Sequence, residues 1–435
     1  VTGAERNPGP DGATWTLERA ESYLLGLELF GMRFGLDRMR RLLTTLGSPQ
    51  ERFASVHVVG TNGKSSTTRM IAAILEGHAI RTGAYLSPHL TSFAERVRIG
   101  DEDSDAAHFA AAVQRTARAA ELVDRTSAGD DDHVTQFEAL TAAAYWELAR
   151  AGVDTAVIEA GLGGRWDATN VIPSSVQVLT NVGLEHTRWL GPTVAHIATE
   201  KLDVVRPGGT LVVGEGLHPD AMALAEQVCA ERHATLVVAS PLTEAIPPLR
   251  ALGAYQRENF AVAIAAARAA LAAREEPIAL DPAAVAAAAA ATLVPGRFQL
   301  VDTAPDTFVD GAHNPGGMAA LAEAIAAVRG NRRTAVAVSV LDDKDAAGML
   351  RELLPVCDLL VCTTNANPRS LSPATLASLA GQLGFPAVVC EPDPRAALRR
   401  ARHDAGADGL AVAAGSIYLI ADLLRPAGAG RASVL

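Results

Sequence analysis

The chain has 435 residues, enough for two or three domains at roughly 150 residues each. With 49% hydrophobic and 20% charged residues it reads as a globular protein. A net charge of -11 argues against a general nucleic-acid binder, whose phosphate contacts need a basic surface, but leaves room for an anionic small substrate held by local positive groups.

In chain order, residues 1–14 are rich in Gly, Pro and polar groups and read as a loose tail. Residues 15–46 carry a helical periodicity that stops near Gly47-Ser48-Pro49. Residues 55–59 form a short β-like run, followed by Gly60-Thr61-Asn62-Gly63-Lys64-Ser65-Ser66 and a helical pattern over 67–75. That is strand, glycine loop, helix. The acidic run Asp130-Asp131-Asp132 reads as a solvated loop. Apolar strand-sized runs recur at 155–158, 176–180 and 210–213, so a parallel sheet with helices on both faces is expected. Residues 261–292 are Ala-rich and mostly helical. Pro295-Gly296 breaks the pattern, and fresh strand candidates follow at 307–309, 335–340, 359–362, 388–390 and 410–414. These readings give a first domain over 15–295 and a smaller α/β domain over 296–435. Cys229, Cys357, Cys362 and Cys390 lack C-x-x-C spacing and histidine neighbours, so reduced thiols are expected. No leader-like start and no bilayer-length apolar run is present, so a cytoplasmic protein without membrane partners is expected.

The segment 60–66 is the most informative. Its glycines let backbone approach phosphate oxygens, and the amides of the following helix start point at the anion. Lys64 can set its charge against the β- and γ-phosphates, with a hydroxyl beside it for phosphate or metal. It is not a full Walker A loop, because Val58 stands where that pattern has Gly.

Further motifs follow in order: Ser87-Pro88-His89-Leu90 with Glu95-Arg96-Val97; Glu159-Ala160-Gly161-Leu162-Gly163-Gly164-Arg165-Trp166-Asp167-Ala168-Thr169-Asn170; Leu184-Glu185-His186-Thr187; and Thr199-Glu200-Lys201. Beyond residue 250 come Tyr255-Gln256-Arg257-Glu258-Asn259, Pro295-Gly296-Arg297-Phe298, Asp310-Gly311-Ala312-His313-Asn314, Asp342-Asp343-Lys344-Asp345 and Gly415-Ser416-Ile417. Together these resemble the folylpolyglutamate synthase/dihydrofolate synthase branch of the Mur ligase superfamily, over residues 15–424. The chain departs from that branch at Ser65, where Gly is usual, and at Tyr255, where His is common.

The resemblance implies a Mur-ligase-like fold: a P-loop-type parallel-sheet ATPase domain followed by a smaller α/β domain that completes the ATP site. It implies ATP contacts from Gly60, Thr61, Asn62, Gly63, Lys64, Ser65 and Ser66, and from Asn259, Arg297, Asp310 and His313. It implies two Mg2+ sites held by Ser87, Glu159, His186 and a carbamylated Lys201, with Lys64, Glu159, His186 and Lys201 as the catalytic set. Taken alone, Ser87 reads as a structural serine, Lys201 as a surface helix residue and His313 as a turn cap; the ordered joint match carries the assignment. Phe34, Arg38, Arg96 and Phe137 are expected on the pterin or folate side, and Asp345 and Ser416 at glutamate or in solvated loops.

The implied chemistry is amide formation through an acyl phosphate, with dihydropteroate or a tetrahydrofolate as acceptor and L-glutamate as the amine. ATP activates the carboxylate, while Mg2+ and Lys64 neutralise the developing phosphate charge. A monomer is expected. Two alternatives compete: another Mur-type ligase acting on a specialised-metabolite or cell-wall carboxylate, which Ser65 keeps open, and a nucleotide-binding regulator without turnover. A regulator has no need of the Ser87, Glu159, His186 and Lys201 set.

Overall fold

The computed structural model describes residues 14–27, 35–126, 132–242 and 246–426. Residues 1–13 of the expected tail, together with Phe34, Asp130 and Asp131, lie outside the described residues. The chain forms two compact units. The first is drawn from Val1–Pro88, Phe93–Ser240 and Ala261–Ala288, the second from His89–Ser92, Pro241–Phe260 and Ala289–Leu435.

The first unit is built on β1 (Ala54–Val59), β2 (Thr82–Tyr85), β3 (Val97–Ile99), β4 (Glu102–Asp103), β5 (Thr155–Glu159), β6 (Val176–Leu179), β7 (Thr210–Gly214) and β8 (Thr235–Ala239). They lie in the order β4-β3-β2-β5-β1-β6-β7-β8. From β2 to β8 all neighbours are parallel, and β3 and β4 add an antiparallel edge. The central strands are short β-branched runs buried on both faces, the pattern of a parallel sheet covered by helices. Burying each Val of β1 contributes about 1.5–3 kcal/mol relative to leaving it exposed.

Chain direction reverses around β1. From β1 the chain crosses β5 to reach β2, and from β5 it crosses β1 to reach β6. Loops after β1 and β5 therefore diverge at the carboxyl edge, the place where open α/β sheets take ligands.

The second unit carries β9 (Gln299–Asp302), β10 (Asp306–Val309), β11 (Thr334–Val338), β12 (Leu359–Cys362), β13 (Val388–Cys390) and β14 (Leu410–Ala414), in the order β13-β12-β11-β14-β10-β9. Only β9 is antiparallel. Phe298 stacks on Phe308 with centroids 4.3 Å apart in its core.

The Ala-rich stretch is two helices, Ala254–Ala272 and Pro282–Ala291. Its break has a local cause: Glu275-Glu276-Pro277 interrupts the first, and Asp281 opens the second by accepting from the Ala283 amide at 2.8 Å, with Pro282 beside it. The four cysteines are free, three buried and Cys390 exposed. Among the described residues no helix is long and apolar enough to cross a membrane.

Candidate active site

The register sets Val58 beside Glu159 and Val59 beside Leu179, so Gly60, Ala160 and Thr180 leave three adjacent strands at one level. The loop 60–63 is then tied to the chain after β6. The Thr61 amide donates to the Asn181 carbonyl at 3.0 Å, and the Asn62 amide to Asn181 Oδ1 at 2.8 Å. The Thr180 hydroxyl donates to the Asn62 carbonyl at 2.6 Å, and the Gly183 amide to Thr61 Oγ1 at 3.1 Å. The helix Lys64–Glu76 starts directly afterwards, presenting its first-turn amides and positive dipole end. Lys64 Nζ donates to the Gly60 and Thr61 carbonyls, both at 3.0 Å, which holds its charge on the loop.

Glu159 ends β5 and is 1% exposed. A carboxylate buried that deeply needs partners. Its Oε1 accepts from the Ser65 hydroxyl at 2.9 Å and its Oε2 from the Ser87 amide at 3.0 Å. The Ser87 hydroxyl in turn accepts from Arg96 Nη1 at 3.3 Å. Arg96 is fully buried, with its guanidinium 5.6 Å from the Phe93 ring centre. Lys201, buried in the last turn of the helix Val194–Leu202, donates to the Gly60 carbonyl at 2.8 Å. Burial, joined by the nearby charge of Lys64, pulls its pKa down to about 7. Gly60 thus accepts from both lysines. His186 opens the short helix Thr187–Leu190 in the left-handed region, at φ 49°, with Nε2 3.5 Å from Glu185 Oε1.

The loop between β5 and β6 is positioned by close backbone contact. A Cβ on Gly164 would stand 2.7 Å from the Glu200 carbonyl oxygen and 2.8 Å from that of Lys201, so only glycine lets this loop lie against the Lys201 helix. A Cβ on Gly161 would meet the Phe137 ring at 2.6 Å, so the ring lies against the backbone two residues beyond Glu159. Asp167 is the loop's organiser. It accepts from the Leu162 amide at 2.7 Å, the Thr169 amide at 3.0 Å and the Thr169 hydroxyl. Burial pushes its carboxyl up, and these donors pull the other way. With the Thr169 proton on Asp167, His57 Nε2–H donates to Thr169 Oγ1 at 2.8 Å. Burial lowers the His57 pKa to about 3, so the ring is neutral.

Arg38 is a buried tie rather than a free cation. Its Nε donates to Glu138 at 2.8 Å and its Nη1 to Asp132 at 2.5 Å. Glu138 also closes a capping box with Thr135 at the start of the helix Gln136–Arg150, which carries Phe137.

In the second unit, Asp310 is 4% exposed and accepts from the Phe298 amide at 2.7 Å, the Ala312 amide at 2.7 Å and the Tyr255 hydroxyl at 3.2 Å. Tyr255, at the position where His is common in the resembled branch, is therefore a partner of Asp310. Arg297 is half-buried, and its charge opposes the upward push of burial on the Asp310 carboxyl. Asn259 donates to Gln256 Oε1 at 3.0 Å. His313 Nδ1 is bonded to the Gly311 carbonyl at 2.9 Å, the turn contact its local sequence allows. Asp345 and Ser416 cap helices, accepting from Gly348 N at 2.8 Å and Tyr418 N at 3.2 Å.

The structure gathers Lys64, Ser65, Ser87, Arg96, Glu159 and Lys201 into two hydrogen-bonded sets at one strand edge: Ser65, Glu159, Ser87 and Arg96 form one, and Lys64 with Lys201 on the Gly60 carbonyl the other. Thr180, Asn181, Asp167 and Tyr255 were given no role by motif. For Thr180 and Asn181 the available signal was their place at the end of an apolar strand next to β1. The donor set around Glu159 is hard oxygen from a carboxylate and hydroxyls, which fits Mg2+. No cluster of three His, Cys, Asp or Glu side chains suited to a metal occurs among the described residues. The expected set, with one carboxylate, one imidazole, a serine and a lysine, is of another composition.

The family model described as Mur ligase, glutamate ligase domain matches residues 296–417. A dihydrofolate synthase/folylpolyglutamate synthase of Mycobacterium tuberculosis is 37% identical over 379 residues, covering 80% of this chain and 77% of its own length. The solved M. tuberculosis folylpolyglutamate synthase complexed with ADP superposes with a TM-score of 0.86 at 32% identity, covering 94% of this chain and 98% of that one. The Yersinia pestis bifunctional folylpolyglutamate synthase/dihydrofolate synthase complexed with AMPPNP and Mn ion gives 0.82 at 29% identity, covering 95% and 98%. By sequence and by fold alike, this chain belongs to the folylpolyglutamate synthase/dihydrofolate synthase family of Mur-type ligases.

Proposed function

We propose that the protein is an ATP-dependent ligase that joins L-glutamate to dihydropteroate, to the γ-carboxyl of a tetrahydrofolate, or to both, giving ADP and phosphate. The observation that carries the reading is the strand-edge arrangement itself: an anion-binding loop with Lys64, next to a buried carboxylate, Glu159, fixed by two donors. Activation of a carboxylate by ATP needs a cradle for phosphates and a counter-charge at the γ-phosphate, and these residues supply both. Glu159 and Ser87 would hold a divalent cation, which when bound would supply Lewis-acid stabilisation to the transferred phosphoryl group. No protein nucleophile is required, because the glutamate amine attacks the activated acyl group. The ATP roles of Asn259, Arg297, Asp310 and His313, the glutamate roles of Asp345 and Ser416, and the division into domains at 295 belong to the same proposal.

Mg2+ as the cation and carbamylation of Lys201 are also proposed. Carbamate formation needs a neutral amine, and burial together with the nearby charge of Lys64 pulls the Lys201 pKa down to about 7, which gives the neutral form a share of the population near neutral pH. Incubation with 13C-bicarbonate is expected to give one carbamate resonance that the Lys201→Arg variant lacks. Identical spectra from the two proteins would remove the carbamate from the mechanism.

ADP release with defined acceptors tests the whole reading. Glutamate with dihydropteroate is expected to stimulate it if the first acceptor is used, and glutamate with tetrahydrofolate if chains are extended. Stimulation by neither would return the specialised-carboxylate ligase to the front.

A further inference from the structure

We propose that His57 is a positioning residue: through Thr169 and Asp167 it holds the loop after Glu159 in the shape the reaction needs, a role that rests on the ATP-ligase reading above.

His57 lies on β1 beside Ile158 of β5, three residues before Gly60, and is fully buried. Its Nε2 donates to Thr169 Oγ1 at 2.8 Å, and that hydroxyl donates to Asp167. Asp167 in turn accepts from the Leu162 amide at 2.7 Å. A chain of hydrogen bonds therefore runs from the strand that feeds the phosphate loop to the backbone three residues beyond Glu159. Thr169 and Asp167 are buried as well, and in such surroundings each bond polarises the next. The imidazole N–H on Thr169 Oγ1 strengthens the hydroxyl's own donation to Asp167. That donation opposes the upward push of burial on the carboxyl and keeps it an acceptor for Leu162. The far end of the loop is held separately. Tyr145 donates to the Thr169 carbonyl at 3.1 Å, and Arg206 Nη2 to the Asn170 and Ile172 carbonyls at 2.7 and 3.1 Å.

The second ring nitrogen argues that His57 is not there for stability. Its Nδ1 is buried with no hydrogen-bond partner among the described residues. Whichever nitrogen of a neutral imidazole carries the proton, the group at Nδ1 stays unsatisfied here, and an unsatisfied polar atom in the interior is destabilising. Leucine is close in volume and would remove that atom. The Thr169 hydroxyl would still have Asp167 to donate to, so leucine would leave no new donor unpaired. Packing alone therefore favours leucine at this position. What histidine supplies instead is the donor to Thr169, a local rule broken where the site needs it.

The test compares variants of the full chain in ligase turnover, thermal unfolding and amide hydrogen exchange. Glutamine sets an amide donor where the imidazole has Nε2, whereas asparagine sets it nearer Nδ1. His57→Gln is expected to keep kcat within about threefold of the wild type, while His57→Asn and His57→Leu lower it about ten- to a hundredfold. His57→Leu is expected to unfold at the wild-type temperature or above it. Thr169→Val is expected to match the loss of His57→Leu, and the two changes combined to lose no more than Thr169→Val alone, because they break one chain. Exchange over residues 161–170 is expected to quicken in His57→Leu, His57→Asn and Thr169→Val but not in His57→Gln. Wild-type kcat and exchange in His57→Leu would overturn the proposal. So would equal losses in the glutamine and asparagine variants, or losses that add in the double variant. A fall in kcat matched by a fall in unfolding temperature would assign His57 to packing. A wild-type chain that released no ADP with either acceptor would overturn the ligase reading instead, and the exchange pattern would then decide by itself whether His57 orders the loop.

Discussion

Glu159→Gln is expected to lower ligase turnover by about a hundred- to a thousandfold or more while leaving the fold intact. The two halves of that statement have separate causes. Glutamine keeps the shape of the side chain. Its carbonyl oxygen can accept the Ser87 amide, and its amide can donate to Ser65 once that hydroxyl rotates to accept. The interior therefore gains no unsatisfied polar group. What is lost is the negative charge, and with it the ability to hold a divalent cation beside the phosphates. Turnover, circular dichroism and thermal unfolding measured on one preparation separate the effects. Lys64→Ala provides the matching test from the phosphate side, with a loss of similar size. Near-normal activity in either variant would contradict the site.

Arg38→Ala is expected to cost about 3–5 kcal/mol of stability in the first unit, one of the larger single losses available to this chain. The guanidinium is buried, and the side chain of its partner Glu138 is only 8% exposed. Burial on its own would disfavour the charge, but Glu138 and Asp132 more than offset it and raise the arginine's pKa. Removing Arg38 leaves Glu138 buried with only the Thr135 amide and hydroxyl as donors. The helix start that carries Phe137 should loosen as well. Urea unfolding of the full chain followed by fluorescence gives the number. A loss below about 1 kcal/mol, the value typical of exposed pairs, would show that the pair is not a buried tie.

The sequence made the sheet strands around the site legible, because β1, β5 and β6 are apolar runs that end in glycine, acid or asparagine at the same structural level. It passed over the edge strand β8, and it did not reveal β2, whose Thr82-Gly83-Ala84-Tyr85 is too short and too small in side chains to stand out, or the antiparallel β3, β4 and β9. Those strands are stabilised by their neighbours rather than by propensity. For the site, the phosphate loop was legible because its glycines and lysine are local in sequence. The partners of the loop were not: Asn181 lies more than a hundred residues from Asn62, and a contact at that separation leaves no periodic trace. Arg38 illustrates the same limit. Residue type and motif context suggested a substrate contact, while the fold spends its charge on Glu138 and Asp132. Ser65 stood out as a departure at a glycine position, but its direction toward Glu159 required the register of β1 and β5.

The ties between the phosphate loop and the chain after β6 bear on where conformational freedom is lost. Thr61 and Asn62 are already fixed by Thr180, Asn181 and Gly183 in the folded protein. Most of the ordering of this hairpin of amides is therefore complete before any nucleotide arrives, and little of the association free energy is consumed in arranging it. If a nucleotide binds as proposed, this loop would meet it as a stiff receptor whose shape is set before the ligand arrives.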